Sequence, residues 1–381
     1  MNYLIYIDCI ERISFFKRIA NALDGRIVFL TNRLSVYFLM RDFDVRIIKS
    51  CDFDKNLSDE ELKSTLYVGA GNLSVLDAKS ISKSVYCSVS QLCTELEFDF
   101  CLVWNGSTVI SKSVCECAKD FGINLRFFEL SNLPNKLFWD TKGVNAASRL
   151  YQNPQILDDF EISSGVWQAW KENYFKSIST VKQAKNKTTI KYIQILDYLG
   201  FLFGLPKEDA RNPLAVILKK IKNKKTKKYK IIDLDCEFIF VPLQVSNDTQ
   251  IILNSDIDNF GMLQIVKQEN SNARIFAKIH PAEENLEFIA KIESFCKENS
   301  IEIVANETKD LIKKCTKLYV VNSTVGLEAL IYEKNITILG RAVYSNFTQE
   351  RLKNYICGYL ANIEYFSDEP LNIDEIRRIL S

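Results

Sequence analysis

Four groups of residues have the types and spacing to act on a substrate that carries phosphate and hydroxyl groups. The densest is residues 320–344, which begin VVNSTVGLEALIYEKNITIL. An apolar strand ends at Val321, Asn322–Thr324 makes a turn, and Val325–Tyr332 reads as a helix. Ser323 or Thr324 caps that helix, and its free N–H groups with their hydroxyls form a natural phosphate cradle. Gly326 permits close approach to the first turn. Glu328, one turn further on, is placed to accept hydrogen bonds from ribose hydroxyls. An ordinary capped helix carries the same pattern.

The second group is KIHP, residues 278–281. Period-two alternation puts Lys278 and His280 on one side of a strand end, where two cations would neutralise a departing phosphate. A structural role is the commoner fate of an isolated histidine. The third, VPLQVSNDTQI, residues 241–251, runs from a strand into a polar loop with Gln244, Asp248 and Gln250. Asp248 is a nucleophile, a base or a turn former there, and turn chemistry is the default. The fourth lies earlier. VWNG, residues 103–106, ends a strand at Asn105 and Gly106, and Glu129 ends the next one. A loop with Gly143, Asn145 and Ser148 follows. Glu129 at such an end is a candidate acid/base or acceptor-binding carboxylate.

These groups need a scaffold that brings strand ends together, and the chain reads as one. Strands at Tyr3–Ile7, Arg26–Leu30, Val45–Ile48, Phe98–Trp104 and Asn124–Phe128 alternate with helices at Ile10–Leu23, Arg33–Met40 and Val109–Phe121. No element is read between Ile48 and Phe98. After a helical stretch (Val166–Tyr174, Thr189–Phe203, Pro213–Ile221) the rhythm returns. Strands at Glu237–Val245, Arg274–Ile279, Ile301–Val304, Leu318–Val321 and Ile336–Leu339 enclose helices at Asn259–Gln268, Glu283–Glu298, Thr308–Cys315 and Val325–Tyr332. A β-α-β rhythm with continuous apolar strands predicts parallel sheets with right-handed crossovers. The expected division is 1–157, a Rossmann-like acceptor-side domain; 158–230, a helical segment and lysine-rich linker; 231–345, a Rossmann-like nucleotide-sugar domain; and 346–381, C-terminal helices that pack back on the first. Ligands of such folds bind beyond the carboxyl ends of the strands, so His280, Ser323, Asp248 and Glu129 are expected to line one cleft.

Composition narrows the class. The chain has 381 residues, 47% of them hydrophobic, which is enough for two cores. Lys+Arg 49 against Asp+Glu 48 leaves a net charge of +1, so no global field draws it to nucleic acid. With 13 glycines and 7 prolines it is neither collagen-like nor low-complexity. No apolar run reaches a membrane span, and the N-terminus lacks the form of a signal peptide. A cytoplasmic protein with at most peripheral membrane contact is expected. Eight lysines crowd Lys219–Lys230. They read as a solvated linker, or alternatively as a polybasic patch for anionic lipid. The 11 cysteines include no C-x-x-C, and free thiols are expected. The single histidine excludes His-rich zinc sites. Asp233-Leu-Asp235 and Asp256-Ile-Asp258 match the D-x-D of metal-dependent glycosyltransferases but read as solvated turns. There is no P-loop and no G-x-G-x-x-G.

WNG, then E-x-x-x-LP with GVNA, then VPLQ-x-x-x-D-x-Q, then KxHP, then NSTVGLEAL and, after it, the ITIL strand with its Gly340–Tyr344 tail form an ordered set. Together they resemble the bacterial capsule polysaccharide biosynthesis family, whose characterised members are β-Kdo glycosyltransferases. The resemblance implies a GT-B-like α/β fold of two Rossmann-like domains facing across a cleft. It implies CMP-β-Kdo as donor, transfer with retention, and no catalytic metal or cofactor. Carried over by motif, Asp248 attacks the anomeric carbon, Glu129 handles the acceptor proton, and Lys278 and His280 stabilise the leaving CMP phosphate. Ser323, Thr324 and Glu328 hold phosphate and ribose, with Gln244, Asn105, Gly106 and Asn145 as further substrate contacts. Ile336 stands where many relatives have proline, and the lysine-rich middle fits no motif. The acceptor is left open between a lipid-linked primer, a growing glycan and another surface polymer. The partners implied are the inner-membrane surface and capsule assembly proteins. The alternatives are another donor, CMP-sialic acid or a UDP-sugar, and a non-catalytic nucleotide-sugar-binding subunit.

Overall fold

The computed structural model describes residues 1–177, 187–208 and 229–381. The Pro213–Ile221 helix and nearly all of the lysine run fall outside the described residues. The chain divides into two compact units: Met1–Ala210 with Lys353–Ser381, and Arg211–Leu352.

Unit 1 is built on a six-stranded sheet of β1 (Asn2–Tyr6), β2 (Arg26–Thr31), β3 (Val45–Ile47), β4 (Phe100–Trp104), β5 (Asn124–Leu130) and β6 (Leu137–Asp140), in the order β3-β2-β1-β4-β5-β6. The first five are mutually parallel and β6 is antiparallel. Every residue of β4 is buried, as its unbroken apolar run requires. On one face Phe15, Phe16 and Ile19 of the helix Ile13–Asn21 pack with Ile5, Leu102, Trp104 and Phe128. Ile376 and Ile379 of the C-terminal helix Ile373–Leu380 join that core. Arg18 donates to the carbonyls of Glu364 and Glu369, and Arg126 to those of Ile379 and Leu380, so two buried guanidiniums tie the chain's last segment into unit 1.

The gap left between β3 and β4 holds a 21-residue helix, Val75–Glu95, started by Ser74 accepting from the Asp77 N–H. Cys87 on that helix is disulfide-bonded to Cys51, which corrects the expectation that all thiols are free; the other nine cysteines are.

Unit 2 carries β7 (Ile239–Pro242), β8 (Ile275–Lys278), β9 (Glu302–Ile303), β10 (Lys317–Val320) and β11 (Asn335–Ile338) in the order β11-β10-β7-β8-β9, all parallel. Alternate residues feed two faces. Ile239, Val241 and Leu243 enter one core, and Phe238 and Phe240 the other. Both units therefore start at a central strand, grow outward on one side, and then switch to the other. The switch lies between β1 and β4 in unit 1 and between β7 and β10 in unit 2, and a crevice opens at the carboxyl ends of such a pair.

Candidate functional site

In unit 2 the loops after β7, β8 and β10 meet at the carboxyl edge of the three central strands, and a buried amide network fixes them. The Gln244 side chain donates to Asn322 Oδ1 at 3.1 Å, and its Oε1 accepts from the Asn322 N–H at 3.3 Å. Asn322 donates onward to the carbonyls of Gln250 (2.8 Å) and Asn254 (3.1 Å). Asn259 exchanges two bonds with the Gln244 backbone, at 2.9 and 2.8 Å. All three amides are buried, so each needs these partners. Gln244 thus locks β7 to β10, a positioning role that the sequence did not assign to it. Asn259, which supports it, gave no chemical signal in the sequence.

Ser323 is the N-cap of the helix Thr324–Ile331, accepting from the Val325 N–H at 3.2 Å, and Thr324 beside it is exposed. Glu328 lies one turn along the same helix and is half-buried. Its carboxylate, after burial, helps push the Tyr332 phenol up to about 12. Gly326 has a different reason to be glycine from the one expected. A Cβ there would sit 2.9 Å from Cε2 of Tyr344, so the space serves the Tyr344 ring and not a ligand. Tyr344 in turn donates its hydroxyl to the Ser323 carbonyl. Arg341 donates to the Asn254 and Leu253 carbonyls and pairs with Asp256 at 3.0 Å. The segment from Gly340 to Tyr344 is therefore the buttress of the Asn322–Thr324 turn.

Asp248 is half-buried and caps the helix Thr249–Asn254, accepting from the Gln250 N–H at 2.9 Å. Its turn-forming role is real, and it stands two residues after Ser246. Glu283 joins that loop to the next. Its carboxylate accepts from the Ser246 N–H (2.6 Å), the Ser246 hydroxyl (3.1 Å) and the Asn285 N–H (2.8 Å). The expected helix from Glu283 accordingly starts later, at Leu286, because Glu283 is consumed as a bridge. The bridge brings the loops of Asp248 and His280 together at one sheet edge. His280 is exposed just beyond β8, and its Nδ1 accepts from the Ala282 N–H at 3.1 Å. Lys278, half-buried at the end of β8, donates to the Asn306 carbonyl at 2.6 Å, and burial lowers its pKa. It is held from the side while its ammonium retains further donors.

In unit 1 the carboxyl edge gathers Asp8, Arg12, Asn105 and Glu129. Asn105 (φ 62°) and Gly106 (φ 80°) turn the chain out of β4 in left-handed conformations. The Asn105 amide donates to Glu129, whose other oxygen accepts from the Leu130 N–H at 2.9 Å. Burial raises the Glu129 pKa against the pull of those bonds and of Arg12. The Arg12 guanidinium lies 3.9 Å over Trp104, donates to the Tyr365 hydroxyl at 2.9 Å, and stands 3.9 Å from Asp8. Asp8 and Arg12 were missed because neither belongs to a spaced motif. Asn145 does not join this group. β6 runs back from Leu137 opposite Leu130 to Asp140 opposite Phe127, which leads the following loop away from Glu129. That loop is organised around buried Asp140, which accepts from the N–H groups of Lys142, Gly143, Arg149 and Leu150.

The two D-x-D pairs are turn and cap residues: Asp235 pairs with Lys314 at 2.8 Å, and Asp258 caps the helix Asn259–Glu269. Among the described residues no three His, Cys, Asp or Glu side chains cluster as a metal site would need.

A family model for capsule polysaccharide biosynthesis proteins matches residues 103–349. Protein FixF of Sinorhizobium fredii is 31% identical over 125 residues, which is 31% of this chain and 30% of FixF; the match therefore spans under a third of that relative. The fold is similar to KpsC, beta Kdo 2,7 transferase, of Thermosulfurimonas dismutans (TM-score 0.49, 16% identity, 100% of this chain and 99% of that one). The beta Kdo 2,4 transferase of KpsC from the same organism matches at a TM-score of 0.45 and 16% identity, over 74% and 87%. UDP-GlcNAc 2-epimerase from Neisseria meningitidis matches at 0.28 and 10%, over 89% and 82%.

Proposed function

The chain belongs to the family of capsule polysaccharide biosynthesis proteins, and from that premise we propose that it is a retaining glycosyltransferase that moves Kdo from CMP-β-Kdo to a lipid-linked or glycan acceptor. What carries the reading is the convergence, on one sheet edge of unit 2, of a carboxylate (Asp248), two cationic or protonatable side chains (Lys278, His280) and a capped helix start (Ser323, Thr324).

The first step is attack of an Asp248 oxygen on the anomeric carbon of the sugar. The bond from that carbon to the phosphate oxygen breaks, and CMP leaves with the electron pair. Lys278, His280 and the N–H groups at the start of the Thr324–Ile331 helix stabilise the charge that builds on the phosphate. Charge stabilisation of this kind asks nothing of a metal. In the second step the acceptor hydroxyl attacks the same carbon, the Asp248 carboxylate departs, and the hydroxyl proton passes to a base, the role that the family resemblance gives to Glu129. Two inversions give retention. Burial makes Glu129 a stronger base than an exposed carboxylate, which suits that task. Thermal stabilisation screened against CMP, UDP, GDP and ADP tests the donor. CMP at a hundredfold over its dissociation constant adds about 2.7 kcal/mol. Stabilisation by UDP alone would transfer the reading to a UDP-sugar, and none by any nucleotide would remove it.

A further inference from the structure

The Lys278 ammonium is held by a main-chain oxygen, the Asn306 carbonyl, at 2.6 Å. A carbonyl is only as well placed as the residue that carries it, and Asn306 is fixed by a matched pair of bonds. Its side-chain oxygen accepts from the Ile232 N–H at 3.1 Å, and its side-chain nitrogen donates to the Ile232 carbonyl at 2.8 Å. Both polar ends of one buried carboxamide thus go to the two main-chain groups of a residue 74 positions away. A buried amide needs its partners, so the pairing locks the two residues together.

Ile232 ends a short strap, Tyr229–Ile232, that runs along the outer edge of the unit 2 sheet. Lys230 bridges in parallel to Val304, just beyond β9, and its carbonyl accepts from the Ala305 N–H at 2.9 Å. The Tyr229 hydroxyl donates to Glu293 of the helix Leu286–Glu298 at 3.0 Å. Ile232 itself packs against the core of Phe238, Phe240 and Leu311. The strap is therefore anchored along its length, and Asn306 takes its own place from it.

Lys278 depends on such support. It ends β8 half-buried, and burial lowers its pKa while Glu307, the neighbour of Asn306, pulls it up. A long basic side chain that loses a fixed acceptor turns its charged end out to water.

We propose that Asn306 is the positioning residue of Lys278: by clasping the strap it fixes the carbonyl that holds the ammonium, so the path of the chain at Tyr229–Ile232 sets where this cation stands. The proposed transfer places Lys278 on the leaving phosphate, and to that extent the inference rests on that reading. Asn306 lies in none of the spaced motifs, and it acts through its main chain, with its side chain as the clamp.

The test is competitive acylation of the full chain with trace acetic anhydride across the alkaline range, read lysine by lysine by mass spectrometry, which gives each ammonium its own titration. Asn306→Ala should move the Lys278 titration up towards its ordinary value, weakening its acidity at least about threefold. Lys317 on β10, which donates to the Tyr319 hydroxyl at 2.6 Å, should titrate as in the parent and so report that unit 2 is folded. Asn306→Ser, which leaves a hydroxyl for one of the two Ile232 groups, serves the same test should the alanine variant lose its fold. An unchanged Lys278 titration in a folded variant would overturn the proposal. CMP affinity by calorimetry then separates positioning from general support of the fold. Lys278→Met and Asn306→Ala should each weaken CMP at least about threefold, and the double variant no more than Lys278→Met alone. Losses that add would mean that Asn306 acts elsewhere than on Lys278, and they would overturn the proposal as well. If Lys278→Met binds CMP as the parent does, the phosphate role of Lys278 falls, and the acylation result still decides whether Asn306 positions it.

Discussion

The two units use the same sheet order and differ at the same place, the start of the helix that follows the switch strand. In unit 1 that helix is Val109–Asp120, and the buried Glu208 carboxylate accepts from the Val109 and Ile110 N–H groups, both at 2.8 Å. In unit 2 it is Thr324–Ile331, capped by the Ser323 hydroxyl with Thr324 exposed beside it. A helix start is an anion site by virtue of its unsatisfied N–H groups. Unit 1 fills its own site with a side chain from within. Unit 2 braces its site from behind, with Tyr344 on the Ser323 carbonyl and Gln244 on Asn322. Shared topology thus gives two helix starts of the same kind, and the chain's own carboxylate occupies one of them; the other is where the proposed donor phosphate would sit. The edge of unit 1 instead gathers carboxylates, Glu129 and Asp8.

The largest effect that separates the units should come from Asp248→Asn. Asparagine caps a helix as well as aspartate does, so the Thr249–Asn254 helix keeps its start. The substitution removes only the nucleophilic charge, and transfer should fall by at least about a thousandfold, while CMP stabilisation remains. Intact-protein mass spectrometry with donor and no acceptor should show a one-Kdo adduct on the parent and none on the variant. Full activity in Asp248→Asn would reduce that residue to its capping role.

Next in size is the plug of unit 1. Burial raises the Glu208 pKa to about 7, against the N–H bonds that favour its charge. The folded state therefore binds a proton between its ordinary value of 4.5 and about 7 that the unfolded chain has released. Stability of unit 1 is greatest below that window, falls as pH rises through it, and is level above it. The total is on the order of 3 kcal/mol. Denaturant titrations of the full chain at several pH values should show this slope, and Glu208→Gln should flatten it. An unchanged slope in Glu208→Gln would place the titrating group elsewhere.

Much of this fold was legible because its strands are short, continuous apolar runs that can only be parallel and buried. β4 and β10 are instances. The helix Val75–Glu95 was not, although Ala78, Ile81, Val85, Val89 and Leu92 repeat correctly, because serines share its buried face. Ser82 is wholly buried, receiving the Leu57 N–H and the Ser113 hydroxyl, and a polar residue at such a position erases the hydrophobic period. The site divided in the same way. Strand-end residues such as Asp248, His280 and Ser323 announced themselves by position. Glu283, Asn259 and Asp8 act through partners 15 or more residues away in sequence or lie in no motif, and only the folded chain brings them in. Gly326 was misread because a glycine states that space is needed, not which side chain takes it.

That glycine gives a third, smaller contrast. Gly326→Ala places a methyl against Tyr344, and overpacking of this kind costs about 1–3 kcal/mol. Unit 2 should lose that stability, and CMP affinity should fall with it as Tyr344 leaves the Ser323 carbonyl. Tyr344→Phe with Gly326 kept separates the two effects: it removes the hydroxyl that meets the Ser323 carbonyl and introduces no collision.

The smallest effect is the sharpest comparison, a matched pair of cap deletions. Ser323→Ala removes the hydroxyl that satisfies the Val325 N–H, and Thr108→Ala removes the one that satisfies the Ser111 N–H at 3.3 Å. An N-cap of this sort contributes about 1 kcal/mol. The two sites are not equivalent, because the helix of unit 1 keeps the Glu208 carboxylate on its first two N–H groups after Thr108 is cut back. Thr108→Ala should therefore cost less in its own unit than Ser323→Ala does in the other. It should also leave CMP stabilisation unchanged, whereas Ser323→Ala weakens CMP by several-fold through the same hydroxyl that holds the helix start. Calorimetric melting of both variants with and without CMP reads the two quantities together. Equal nucleotide losses would mean that the helix starts are not divided between plug and ligand, and the contrast between the units would fail at its origin.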